Sequence, residues 1–102
     1  WLSSEKSYPY TSGDGYTGSC KHSLIDKAAH VSGHADVSHN EEKMAAYLAE
    51  HGQLSICVAA SSWMNYESGV LTDCYHSQVD HCVGLVAYNL SAPTKYWQVR
   101  NS

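Results

Sequence analysis

The 102-residue sequence contains no phenylalanine, and eight tyrosines and three tryptophans supply its aromatic bulk instead. A core built on such rings must find a hydrogen-bond partner for each buried hydroxyl or indole N–H. The sequence also lacks any apolar run near the ~18 residues a membrane span requires, so no membrane partner is expected. No stripe of Lys and Arg is present, and six basic residues face ten acidic ones, for a net charge of −4. That balance argues against nucleic acid as a partner. The four cysteines, at 20, 57, 74 and 82, form no Cys-x-x-Cys pair, which removes the usual zinc and thioredoxin-type spacings. No signal peptide is visible, but the chain begins at Trp1 and ends without a polar tail. Both ends read as interior points of a longer chain, so a missing leader does not argue against secretion.

What is present suits one small globular domain. The hydrophobic fraction is 43% and the charged fraction 16%, outside the range of disordered chains. Seven histidines make the charge sensitive to pH: near pH 5 most unperturbed imidazoles are protonated, which erases or reverses the negative sign.

Residues 1–20 read as loop, dense in turn formers around Tyr8-Pro9-Tyr10 and Gly13-Asp14-Gly15. Residues 24–37 alternate weakly and predict one strand with a bulge near Gly33. The clearest element is a helix from Asn40 to His51. Ser38 followed by Glu41 has the capping-box form, Glu41 and Glu42 suit the positive helix start, and Gly52 stands where a left-handed residue ends a helix. Met44, Tyr47 and Leu48 form its apolar face. Leu54–Ala60 predicts a buried strand, Ser61–Tyr66 a helical turn, and Gly69-Val70-Leu71 a further extended stretch. Strands at 82–88 and 95–100 complete a count of four or five strands and one helix. Cys57 and Cys82 fall in apolar strand patterns and read as buried small hydrophobes. Cys20 and Cys74 lie in polar loops, where disulfides are common.

Chemistry concentrates between Val79 and Asn101. His81 stands at the mouth of one strand and Asn101 at the end of the next. An Asn carbonyl oxygen that accepts from one imidazole nitrogen fixes the ring's tautomer. The other nitrogen can then take a proton from a nucleophile. The base and its orienter are present, and a nucleophile is not evident. Asp80 either caps locally or contacts a substrate backbone, and both readings stand. His30, His34 and His39 have metal-like spacing only if helical. Gly33 opposes a helix there, so they read as solvated loop histidines. Asn89-Leu90-Ser91 is an N-glycosylation triplet in a loop.

Several of these pieces occur together in one family. Ser7-Tyr8-Pro9-Tyr10 with Ser12-Gly13, Ala45-Ala46-Tyr47-Leu48-Ala49-Glu50, Ala60-Ser61-Ser62-Trp63-Met64, Gly69-Val70-Leu71-Thr72, Val79-Asp80-His81 and Tyr96-Trp97 through Asn101-Ser102 span nearly the whole chain in order. In these the chain resembles the papain-family cysteine proteases, and especially the cathepsin-L-like enzymes of trypanosomes.

The resemblance implies an α+β papain-like fold, with an incomplete β-barrel domain at 21–102 and an edge of the helical domain at 1–20. It implies a thiol endopeptidase acting on polypeptide substrates, met by protein inhibitors, with no metal or organic cofactor, and lysosomal or secreted. His81 falls on the catalytic His and Asn101 on its orienting Asn. The nucleophilic Cys and the N-terminal half of the domain lie outside these residues. Cys57, Val79 and Asp80 fall on substrate-contacting positions. Cys20 and Cys74 match cysteines whose disulfide partners lie beyond the chain. Gln53, Ala59, Cys82 and Ala87 depart from the usual residues. These departures keep open a rival reading, a catalytically inactive homologue that serves as a binding protein. A third reading, a freestanding metal-binding domain, would require stoichiometric zinc.

Overall fold

A computed structural model describes residues 1–74 and 78–102. The chain divides into two compact units, Trp1–Asp36 and Val37–Ser102.

The first unit is loop-rich and exposed. One 3-10 turn spans His22–Leu24, and one isolated bridge pairs Leu2 with Ala29. The strand expected over 24–37 does not form. Nearly every residue of that stretch is exposed, so its weak alternation has no apolar face to bury. Polar bonds hold the unit instead. Asp26 accepts hydrogen bonds from both the backbone N–H and the hydroxyl of Ser4. These bonds, with one from Ser7, pull the Asp26 carboxyl down to about 2.

The second unit carries the sheet. Helix α1 spans Glu41–His51 and strand β1 Leu54–Val58. A 3-10 turn spans Ser61–Asn65, and strands β2 and β3 span His81–Asn89 and Tyr96–Arg100. The order is β1-β2-β3, antiparallel throughout. The expected extended stretch from Gly69 is not a strand, so the described residues give three strands rather than four or five.

The helix start differs from the capping-box expectation. Asn40, not Ser38, is the N-cap, and its side-chain oxygen accepts from the Lys43 N–H at 3.0 Å. Asn and Ser cap about equally well, so the residue that abuts the first helical turn takes the role. At the other end Gly52 has φ 89°, a backbone state that a Cβ disfavours.

One face of the sheet packs on the helix. Leu48, Leu54 and Leu85 form the buried core, and Met44, Tyr47, Ile56, Tyr88, Trp97 and Val99 pack against it. The helical spacing of 44, 47 and 48 and the strand alternation of 54, 56 and 83, 85 produce that face. The missing phenylalanines are replaced here by Tyr88 and Trp97, in edge contact at 5.7 Å. The Trp97 indole N–H reaches Glu41 at 3.4 Å, so its polar tip is satisfied at the rim. The opposite face, which carries Ser55, Cys57, Cys82, Gln98 and Arg100, is exposed.

Candidate active site

β2 starts at His81, and β3 ends one residue before Asn101. Because the strands are antiparallel neighbours, the start of one lies beside the end of the other. His81, Val83 and Leu85 share a face through the period of two, as do Trp97, Val99 and Asn101. The two side chains meet: His81 Nε2 lies 2.7 Å from Asn101 Oδ1, across 20 residues of sequence. An amide oxygen only accepts, so Nε2 carries the proton in this bond and Nδ1 is left as the basic nitrogen. Asn101 Oδ1 also accepts from the Ser102 N–H at 2.9 Å, which fixes the amide's orientation.

His81 is half-buried. Trp63 presents an edge to its ring at 6.4 Å. An open hollow of about 450 Å³ surrounds the pair, walled by Ala60, Ser61, Trp63, Met64 and Asp80. Among the described residues no cysteine lines it.

Asp80 holds the rim. Its N–H donates to the Val58 carbonyl at 3.1 Å, and its Oδ1 accepts from the Ala60 N–H at 2.8 Å. The Asp80 side chain thus bonds across to the segment after β1, 20 residues away in sequence, and not to a local neighbour. Val79 is exposed beside it.

Cys57 and Cys82 depart from expectation. Both are exposed, and they form a disulfide. In the β1–β2 register they stand opposite each other with Cα atoms 4.0 Å apart, the close spacing of a non-hydrogen-bonded antiparallel pair. Strand composition indicated burial, but register decides the face. They point away from the helix, where a thiol meets solvent and its cross-strand partner. Cys20 and Cys74 are exposed free thiols. Asn89 closes β2, and its Oδ1 accepts from the N–H groups of Ser91 and Ala92 at 2.9 Å each.

Trp63 and its neighbours in the 3-10 turn were not among the expected site residues. The signal that pointed to them was the run Ala60-Ser61-Ser62-Trp63-Met64, which carries part of the family resemblance. Among the described residues no three His, Cys, Asp or Glu side chains converge as a metal site would require.

The sequence pattern of the papain family cysteine proteases matches residues 1–102. This chain belongs to the papain family. It is 43% identical to cysteine proteinase B of Leishmania mexicana over 102 residues, covering 99% of this chain and 23% of that protein. It is 44% identical to a cysteine proteinase of Trypanosoma brucei brucei over 98 residues, covering 96% of this chain and 22% of that one. Mouse procathepsin L is 36% identical over 109 residues, covering 99% of this chain and 32% of that protein. The papain-family chain thus spans about a quarter of the length of the kinetoplastid relatives it matches. One helix on an antiparallel sheet is consistent with the α+β papain-like fold.

Proposed function

We propose that this papain-family chain carries the base and the orienting residue of a cysteine endopeptidase. The observation that carries the reading is the 2.7 Å bond from His81 Nε2 to Asn101 Oδ1, which leaves Nδ1 to serve a nucleophile. The nucleophile is a cysteine thiol supplied by chain outside these residues. His81 Nδ1 takes the thiol proton, and the resulting thiolate and imidazolium stabilise each other. The thiolate attacks a peptide carbonyl. Imidazolium then gives its proton from Nδ1 to the leaving amine, and an acyl-enzyme remains. Water, deprotonated by the same nitrogen, attacks that thioester, the C–S bond breaks, and the carboxylic acid product and the cysteine are released. Asn101 holds the ring plane through each transfer.

Substrate polypeptide is read as lying over the rim formed by Val79 and Asp80, with Cys57 nearby. Residues 1–20 belong to the edge of the helical domain and 21–102 to the barrel domain. Cys20 and Cys74 pair with cysteines outside the chain. Asn89 serves as a glycan acceptor in the secretory route, and the protein resides in a lysosome-like compartment or is secreted, where protein inhibitors can meet it. No organic cofactor or metal takes part.

The test uses the full-length protein that contains this segment. It should cleave internal bonds of an unfolded polypeptide, and alkylation of a single cysteine outside these residues should stop it. A full-length protein with no cysteine within reach of His81, or with turnover indifferent to alkylation, would overturn the reading and favour a non-enzymatic binding protein.

A further inference from the structure

The Cys57–Cys82 disulfide lies one rung inward from the pair Val58–His81, which is the outermost rung of the β1–β2 ladder. Beyond that rung the Asp80 clasp joins the two strands, through Val58 and Ala60. The disulfide and this clasp thus flank the Val58–His81 rung on either side. Ladder ends fray first.

The disulfide is also accessible. Both half-cystines are exposed. Cys82 borders a second hollow, of about 330 Å³, shared with Gln53, Ser55, Gly84, Arg100 and Asn101. Among the described residues no acidic side chain lines it. Among the described lining side chains Arg100 is the charged one, and its guanidinium pairs bidentately with carboxylates. Exposed disulfides are the ones that exchange with small thiols.

We propose that the Cys57–Cys82 disulfide is a thiol-exchange site for carboxylate-bearing monothiols, and that its reduction loosens the rung that carries His81. The incoming thiolate attacks one sulfur, forms a mixed disulfide and releases the other as a thiolate. A second monothiol attacks the mixed disulfide. Two protein thiols and one small-molecule disulfide result, with two electrons and two protons taken from the two monothiols. Arg100 holds the carboxylate of the attacking thiol beside Cys82. Without the cross-link the last rung opens more often, and His81 leaves Asn101, because Asn101 follows β3 on the other side of β2. The exchange chemistry is independent of the peptidase reading, and only its effect on turnover rests on that reading.

The experiment takes the folded full-length protein through glutathione, cysteamine and 2-mercaptoethanol. Differential alkylation and peptide mass analysis follow Cys57 and Cys82, and hydrogen exchange follows the Ala60 and Asp80 amides. At equal thiolate concentration glutathione should open the disulfide fastest and cysteamine slowest. Arg100→Gln should abolish that order, Arg100→Lys should retain part of it, and added salt should weaken it. Opening should speed exchange at both amides while the core amides of Leu48 and Leu85 stay protected. A disulfide that yields only when those core amides exchange would overturn the proposal. So would equal rates for the three thiols, or amide exchange at Ala60 and Asp80 that reduction leaves unchanged. None of these readouts requires proteolysis, so a protein without peptidase activity would overturn the proposed function and leave this site standing.

Discussion

His81 has two ring nitrogens with different tasks, and the structure separates them. Nε2 faces the Asn101 oxygen at 2.7 Å, so the neutral ring should be the Nε2–H tautomer. Nitrogen-15 shifts of the His81 ring should show a protonated Nε2, and Asn101→Ala should mix the tautomers. Asp26 makes a second residue-scale prediction. Hydrogen bonds from the Ser4 hydroxyl, then from the Ser4 backbone, then from Ser7 lower its carboxyl from the ordinary range to about 2. A carboxyl depressed in the folded state stabilises that state above its unfolded value of about 3.9. The contribution disappears as pH falls from there through the folded value. A carbon-13 titration of the Asp26 carboxyl should place its midpoint near 2, and Ser4→Ala should return it toward the ordinary range.

At the scale of elements, helix α1 was the most legible part of the sequence. Its apolar spacing, acidic start and terminal glycine all pointed the same way. Only the cap moved, from Ser38 to Asn40, because two good capping residues stood two positions apart. Asn40→Ala should therefore destabilise the second unit by about 1 kcal/mol in chemical denaturation, and Ser38→Ala by much less. The strands at 54, 82 and 95 were legible as apolar runs, but their register was not. Register depends on which strands meet, and that choice put Cys57 and Cys82 on the open face opposite each other. The expected strand at 24–37 failed for a related reason: alternation marks a strand only where something covers its apolar face. Leu85 is almost fully buried, at 1% exposure. Leu85→Ala should cost about 2–5 kcal/mol, the range for large-to-small changes in a packed core.

At the scale of the whole molecule, the site is a product of antiparallel pairing. His81 and Asn101 could be singled out from sequence because each stands at the edge of an apolar run. Their meeting needed β2 and β3 to be neighbours. The hollow around them needed the 3-10 turn to bring Trp63 alongside. The free thiols of Cys20 and Cys74 bear on the same scale. In the full-length protein, peptide mapping should find each joined to a cysteine outside this segment, and a Cys20–Cys74 cross-link would contradict the proposed pairing. The Cys57–Cys82 bond spans 25 residues, and closing such a loop in the unfolded chain stabilises the fold by roughly 3–4 kcal/mol in the chain-entropy treatment.

The division of labour between His81 and Asn101 is tested most directly by kcat/KM for peptide hydrolysis in the full-length protein, for wild type, His81→Ala and Asn101→Ala. His81→Ala should lose at least the ~10²–10⁴-fold that general acid–base catalysis supplies, with the thiolate's counter-ion lost as well. Asn101→Ala should lose less and keep measurable turnover, since the base remains and only its orientation suffers. Retention of near wild-type turnover by His81→Ala would contradict the assignment of His81 as the base.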